Sequence, residues 1–100
     1  MGMERHEVPT VFIRGHADPT DVQYVEAALC LALRSAPPLQ YTVLIIEATP
    51  PDVAVEVEAG SLGGALEARG ESDTVRRACD ACIDAFARQL ANASATALPA

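Results

Sequence analysis

Apolar and polar positions along this chain follow two periods, and the switches between them mark its elements. From Val8 to Arg14 the β-branched and aromatic run VPTVFIR predicts a strand, with Pro9 near its start, where a sheet edge tolerates the missing amide. Gly15-His16-Ala17 then turns the chain. Asp18-Pro19 opens a helix, the carboxylate capping it and the proline occupying the first helical position at no cost in hydrogen bonds. In that helix Val22, Val25, Leu29 and either Ala32 or Leu33 form an inward stripe. Tyr24, Ala28 and Leu31 form a second, weaker one, read as the margin of the core. Pro37-Pro38 ends the helix, and Leu39 to Glu47, the most hydrophobic run, belongs in the middle of a sheet.

After a turn at Thr49-Pro50-Pro51-Asp52, residues Asp52 to Ala59 alternate cleanly. Val53, Val55 and Val57 face one side; Ala54, Glu56 and Glu58 face the other, which is therefore wet and acidic. Gly60 to Gly64 is a hairpin turn, since its glycines match no phosphate-binding spacing. Ala65 to Arg69 returns as a fourth strand with Leu66 and Ala68 inward and Glu67 and Arg69 outward.

Ser72 to Leu90 reads as one amphipathic helix, with Val75, Cys79, Cys82, Ile83, Phe86 and Leu90 in a single stripe. Ser72 or Asp73 caps it. Asp73 with Arg77 and Asp84 with Arg88 are one turn apart, each pair worth roughly a few tenths of a kcal/mol, so the stripe is the main reason the helix forms. The remainder, ANASATALPA, is small and aperiodic and reads as a tail. The order β-α-β-β-β-α predicts an α+β two-layer sandwich, a four-stranded sheet with both helices on one face. Residues 1–7 are expected to be a loose end, 8–91 one domain and 92–100 a flexible tail.

At 100 residues and 50% hydrophobic content the chain has enough apolar surface for one two-layer core. It has no run of about 18 apolar residues, and MGMERHEVPT lacks the apolar core of a signal peptide, which places it in the cytoplasm and off the membrane. Cys30, Cys79 and Cys82 sit at apolar or small-residue helix positions and are expected to be reduced and buried. A redox CxxC needs its sulfur at a helix start, whereas Cys79 and Cys82 lie mid-helix on the buried stripe. With His6 and His16 isolated, no metal or other cofactor is expected. Acid/base pairs, nucleophile motifs and pocket-forming motifs are absent, so neither catalysis nor a small-molecule substrate is expected. Fourteen acidic residues against seven arginines and no lysine give a net charge of −7, which disfavours a general nucleic-acid binder.

In this setting two segments carry a family likeness. Asp18-Pro19, Tyr24-Val25-Glu26 and Leu29 in the first helix, and Cys79-Asp80, Asp84, Phe86 and Arg88-Gln89-Leu90 in the last, stand in step with the helices of the ribosome hibernation-promoting factors. That family is also known as ribosome-associated inhibitor A or the sigma-54 modulation proteins. Val53 to Arg69 is similar to its third strand, glycine-containing turn and fourth strand, so the resemblance covers about residues 8–91. It implies a stationary-phase factor that enters the small ribosomal subunit, lies in the channel used by messenger and transfer RNA, and blocks translation while protecting the ribosome.

Family members meet rRNA phosphates with basic residues on both helices and adjoining loops. Here two of those positions read Val22 and Ala28, and the exposed strand face carries Glu56, Glu58 and Glu67. The basic residues left as RNA-binding candidates are Arg34, Arg69, Arg76, Arg77 and Arg88, with Arg14 and His16 near the first turn. The second reading keeps the fold without RNA binding. In it the acidic sheet face, or the Tyr24 and Leu31 stripe, serves a protein partner or a homodimer, and the strand Val8 to Arg14, unpaired on one side, forms a dimer seam. Arginines of both helices converging away from the glutamates would favour the first reading, and scattered arginines with a stable dimer the second.

Overall fold

The computed structural model describes residues 9–34, 36, 39–61 and 64–97. It contains β1 (Thr10–Gly15), α1 (Pro19–Leu33), β2 (Tyr41–Thr49), β3 (Asp52–Ser61), β4 (Gly64–Ser72) and α2 (Val75–Ala97), in the predicted order. The strands form one sheet in the order β1-β2-β3-β4. β1 runs parallel to β2 through the α1 crossover, while β2, β3 and β4 are antiparallel neighbours. The apolar β2 is an interior strand, as its composition predicts.

Register decides what each face carries. Leu44 and Ile46 of β2 lie beside Val57 and Val55 of β3, and these lie beside Ala68 and Gly70 of β4. That row faces the helices. With Val25, Leu29, Cys79, Cys82 and Phe86, its larger side chains form a fully buried core. Removing such side chains from water is the main stabilising term, since each large one contributes about 1.5–3 kcal/mol. α2 packs directly on β4 at Gly70, where a Cβ would stand 2.2 Å from the Ala78 carbonyl oxygen and 2.5 Å from the Cys82 nitrogen.

Asp18 caps α1 as expected, its Oδ1 accepting from the Thr20 backbone N–H at 2.9 Å and the Thr20 hydroxyl at 2.7 Å. These two bonds, the hydroxyl one foremost, hold the Asp18 carboxyl below its ordinary value. Gly15 ends β1 at φ +82°, with the Ala48 carbonyl oxygen 2.3 Å from where a Cβ would stand. The turn into α1 therefore requires glycine there.

Several boundaries differ from the sequence reading. β2 is shifted toward Thr49, and β4 continues to Ser72, which pairs with Val53. Ser72 thus belongs to the sheet, and Thr74 caps α2, its hydroxyl accepting from the Arg77 N–H at 3.2 Å. α2 runs past Leu90 to Ala97 because a helix already nucleated by packing propagates readily through alanine-rich sequence. Cys30 is exposed, since the stripe of α1 centres on Val25 and Leu29 and turns Cys30 outward. Tyr24 and Ala28 pack at the core margin, but Leu31 is 64% exposed. Val8 at the expected start of β1, Pro37-Pro38, the Leu62-Gly63 tip of the hairpin, residues 1–7 and residues 98–100 lie outside the described residues.

Candidate functional site

The seven basic candidates divide between the two layers. Arg34, Arg76, Arg77 and Arg88 belong to the helices or their ends, while Arg14 and Arg69 lie on the sheet face the helices leave open. His16, exposed in the loop after β1, holds the sheet only through its backbone, donating to Ala48 O at 3.2 Å.

On the open face, the strand register places Arg14 beside Glu47 and Arg69 beside Glu56. Glu47 accepts from Arg14 at 3.2 Å and from Arg69 at 3.3 Å; Arg69 also reaches Glu56 at 3.1 Å and Glu71 at 2.8 Å. One network thereby ties all four strands, and both arginines are engaged in it. Its carboxylates, that of Glu71 first, hold the Arg69 guanidinium above its ordinary value. Farther along, Glu58 stands directly opposite Glu67. A hydrogen bond donated to Glu56, together with that residue's charge and, after burial, the charge of Glu58, pushes the Glu67 carboxyl up. The acidity expected of this face is carried by β3, by β4 and by Glu47 at one end of β2. Toward β1 and β2 it presents Phe12, Ile45, Val43 and Tyr41, with Phe12 54% exposed.

In the helix layer, contacts of Asp21 with Arg76 and of Tyr24 with Asp80 show that α1 and α2 run side by side in the same direction. Arg76 Nε donates to Asp21 at 2.9 Å, and its guanidinium lies 4.8 Å from the Tyr24 ring centroid. Tyr24 Oη donates to Asp80 at 2.8 Å. This four-residue clasp gives Tyr24 a role beyond core margin, and its polar half was not legible from an apolar stripe.

The parallel alignment sets Arg76 and Arg77 at one end of the layer and Arg34 and Arg88 toward the other. The 11 positions from Arg77 to Arg88 correspond to about 17 Å of helix. Arg77 pairs with Asp73 at 3.6 Å and Arg88 with Asp84, whereas Arg34 has no ion pair among the described residues. The helix arginines therefore form two groups rather than one patch, with the sheet glutamates behind them.

The Tyr24–Asp80 bond has a measurable consequence. With Asp80 accepting its proton and burial adding to the effect, Tyr24 ionises above its ordinary value of 10.0. The folded state then holds this proton more tightly than the unfolded chain. The resulting stability is complete below pH 10 and is lost as pH rises through the folded value. In a Tyr41→Phe background, phenolate absorbance should titrate above the ordinary value and fall back toward it with Asp80→Ala. An unmoved midpoint would mean the bond is not formed in solution.

Burial pushes the Cys79 thiol up to about 12 and Cys82 up to about 11, so both stay protonated and serve packing. Cys82 Sγ donates to the Ala68 carbonyl at 3.5 Å. Among the described residues no group of three or more His, Cys, Asp or Glu side chains is placed to hold a metal ion. A shallow depression on the open face, lined by Arg14, Glu47, Asp52, Arg69 and Glu71, has both of its cations engaged in the strand network. Among the described residues no helix is long and apolar enough to cross a membrane.

No protein-family model and no curated protein matches the sequence. Solved structures do match. A ribosomal subunit interface protein from Coxiella burnetii superposes with a TM-score of 0.72 at 17% identity, over 87% of this chain and 97% of that one. The N-terminal domain of Protein Y from Thermus thermophilus superposes with a TM-score of 0.70 at 16% identity, over 88% and 98%. The chain thus has their fold over nearly their full length, the fold that the helix motifs lead one to expect.

Proposed function

We propose that this protein is a non-catalytic ribosome-associated factor that binds the small subunit and inhibits or protects it during dormancy, using the helix layer as its RNA-facing side. The observation that carries the reading is the fold shared with a ribosomal subunit interface protein over 87% of this chain and 97% of that one. The charge layout is compatible with it, since Arg34, Arg77 and Arg88 are exposed and away from the sheet glutamates. Exposed pairs one helical turn apart are weak and screened, so Arg77 and Arg88 exchange a carboxylate for a phosphate at little cost.

Co-sedimentation with ribosomes and isolated small subunits across a salt series tests this, comparing the natural chain with Arg76→Ala/Arg77→Ala/Arg88→Ala. Saturable binding at physiological salt is expected. The variant should bind more weakly at every salt concentration, its log–log salt slope reduced by about one for each phosphate no longer neutralised. Because Arg76 also closes the helix clasp, Arg77→Ala/Arg88→Ala provides the comparison in which only solvent-facing pairs are removed. Absence of binding at low salt removes the reading.

A second reading, in which the fold serves a protein partner without RNA, draws on the pairing of Arg76, Arg77 and Arg88 with carboxylates. Its expected result is no salt-sensitive binding to ribosomes.

A further inference from the structure

The two edges of the sheet are finished differently. On β4 the outward backbone groups of Glu67 are occupied, its N–H donating to Gln89 Oε1 at 3.0 Å and its carbonyl accepting from Gln89 Nε2. A side-chain amide from α2 thus takes the place of a further strand, and Glu67, Arg69 and Glu71 add charge along that edge. β1 has no such cover among the described residues. From Thr10 to Ile13 it carries no charge, and every residue except Val11 is exposed.

Two features of β1 specify what fits there. The first is that exposed apolar side chains project to both faces: Phe12, aligned with Ile45, to the open face at 54% exposure, and Ile13, aligned with Ile46, to the helix side at 46%. A partner lying on either face would cover one and leave the other. A strand added edge-on covers both. The second feature is backbone direction. His16 N–H donates to Ala48 O of β2, so even-numbered β1 residues turn their backbone groups to β2 and Val11, Ile13 and Gly15 turn theirs outward.

We propose that β1 is a self-association seam, pairing antiparallel with β1 of a second copy about a two-fold axis at Phe12. In that register Val11 and Ile13 of one copy exchange both backbone bonds with Ile13 and Val11 of the other. Phe12 meets its own mate on the open face, Ile13 meets Val11 on the helix side, and Arg14 falls opposite Thr10. Each outward donor in the centre finds an acceptor, and no like charges oppose one another. The alternative centre at Ile13 would set Arg14 against Phe12, which leaves the aromatic pair unmade. The product is a continuous eight-stranded sheet with the helices of both copies on one side. This seam does not depend on the ribosome reading, because it leaves the outer surface of the helix layer uncovered.

A six-residue seam is small, so dissociation in the range of tens to hundreds of micromolar is expected, on the order of a transient interface. Sedimentation velocity from micromolar to near-millimolar concentration should show a reversible dimer, and amide exchange at Val11 and Ile13 should slow as concentration rises. Ile13→Pro removes an outward N–H that the β2 ladder does not use, at an edge position where proline is tolerated. It should weaken association at least tenfold. Phe12→Lys, which keeps every backbone donor, should do the same by charge repulsion across the axis.

Register is read by cysteine in a Cys30→Ser background. The non-bonded pair at the axis has Cα atoms about 4.5 Å apart, within disulfide range, so Phe12→Cys should form a crosslinked dimer and Thr10→Cys should not. A monomer at every concentration overturns the proposal. So does a dimer that survives both Ile13→Pro and Phe12→Lys, or one that crosslinks through Thr10→Cys and not through Phe12→Cys.

Discussion

Gly70→Ala is expected to destabilise the protein by about 3 kcal/mol or more, at or beyond the upper end of ordinary overpacking. The added methyl would stand 2.2 Å from Ala78 O, 2.5 Å from Cys82 N and 3.0 Å from the Ala81 Cβ. Two of those three atoms are helix backbone, so no rotamer change relieves the overlap. α2 must lift from β4 as a unit, pulling Cys79, Cys82 and Phe86 away from the sheet behind it. Gly60→Ala provides the contrast, because its Cβ would meet the Tyr41 ring at 2.2 Å, and that ring belongs to an exposed side chain that can swing away. Urea denaturation of the two variants should show a much larger drop in midpoint for Gly70→Ala. Equal drops would mean that α2 does not sit on β4 at this close approach.

Phe86→Ala is the second large effect, with an expected cost of about 3–5 kcal/mol. Phe86 is fully buried and stands first by volume among the fully buried side chains; Tyr24 is half-buried, and Phe12 and Tyr41 are exposed. Its neighbours in the core are valine, alanine, cysteine and a few leucines and isoleucines, small or branched side chains that close poorly over a cavity of that size. A domain of this length holds about 5–15 kcal/mol in total, so the variant should be marginally folded and melt lower by roughly 15–30 °C. Thermal denaturation followed by far-UV circular dichroism measures it. Phe86→Leu should recover most of the stability, whereas a variant that melts like the parent would place Phe86 outside the core. Under the proposed ribosome reading, in which the α2 arginines face RNA, binding would fall in both Gly70→Ala and Phe86→Ala in proportion to the unfolded fraction.

Period and punctuation determined much about this protein. Alternation in Val53–Glu58, the threefold-fourfold stripe from Val75 to Leu90, the Asp18-Pro19 start and the paired prolines and glycines are local signals, and each dictates an element through sterics or through one buried face. Together they led to the element order, the side of the sheet that the helices cover and the neighbours β2, β3 and β4. Boundaries failed where a distant partner set them or where no local signal stopped an element. Ser72 joins the sheet because Val53 is there to pair with it, and α2 continues beyond its own stripe because nothing in the alanine-rich sequence stops it.

The candidate surface was less legible for the same reason. Which arginines share a face depends on strand register and helix alignment, quantities set by packing between segments far apart in the chain. The sequence by itself therefore determined that seven basic side chains remained as candidates, and that acid lined one side of β3. Only the tertiary structure decided that Arg14 and Arg69 belong to the sheet network, that Arg76 closes the helix clasp over Tyr24, and that one sheet edge is occupied by Gln89 while the other has no such cover among the described residues. Local periodicity states which way a side chain points from its own element. What it then meets is a property of the whole fold.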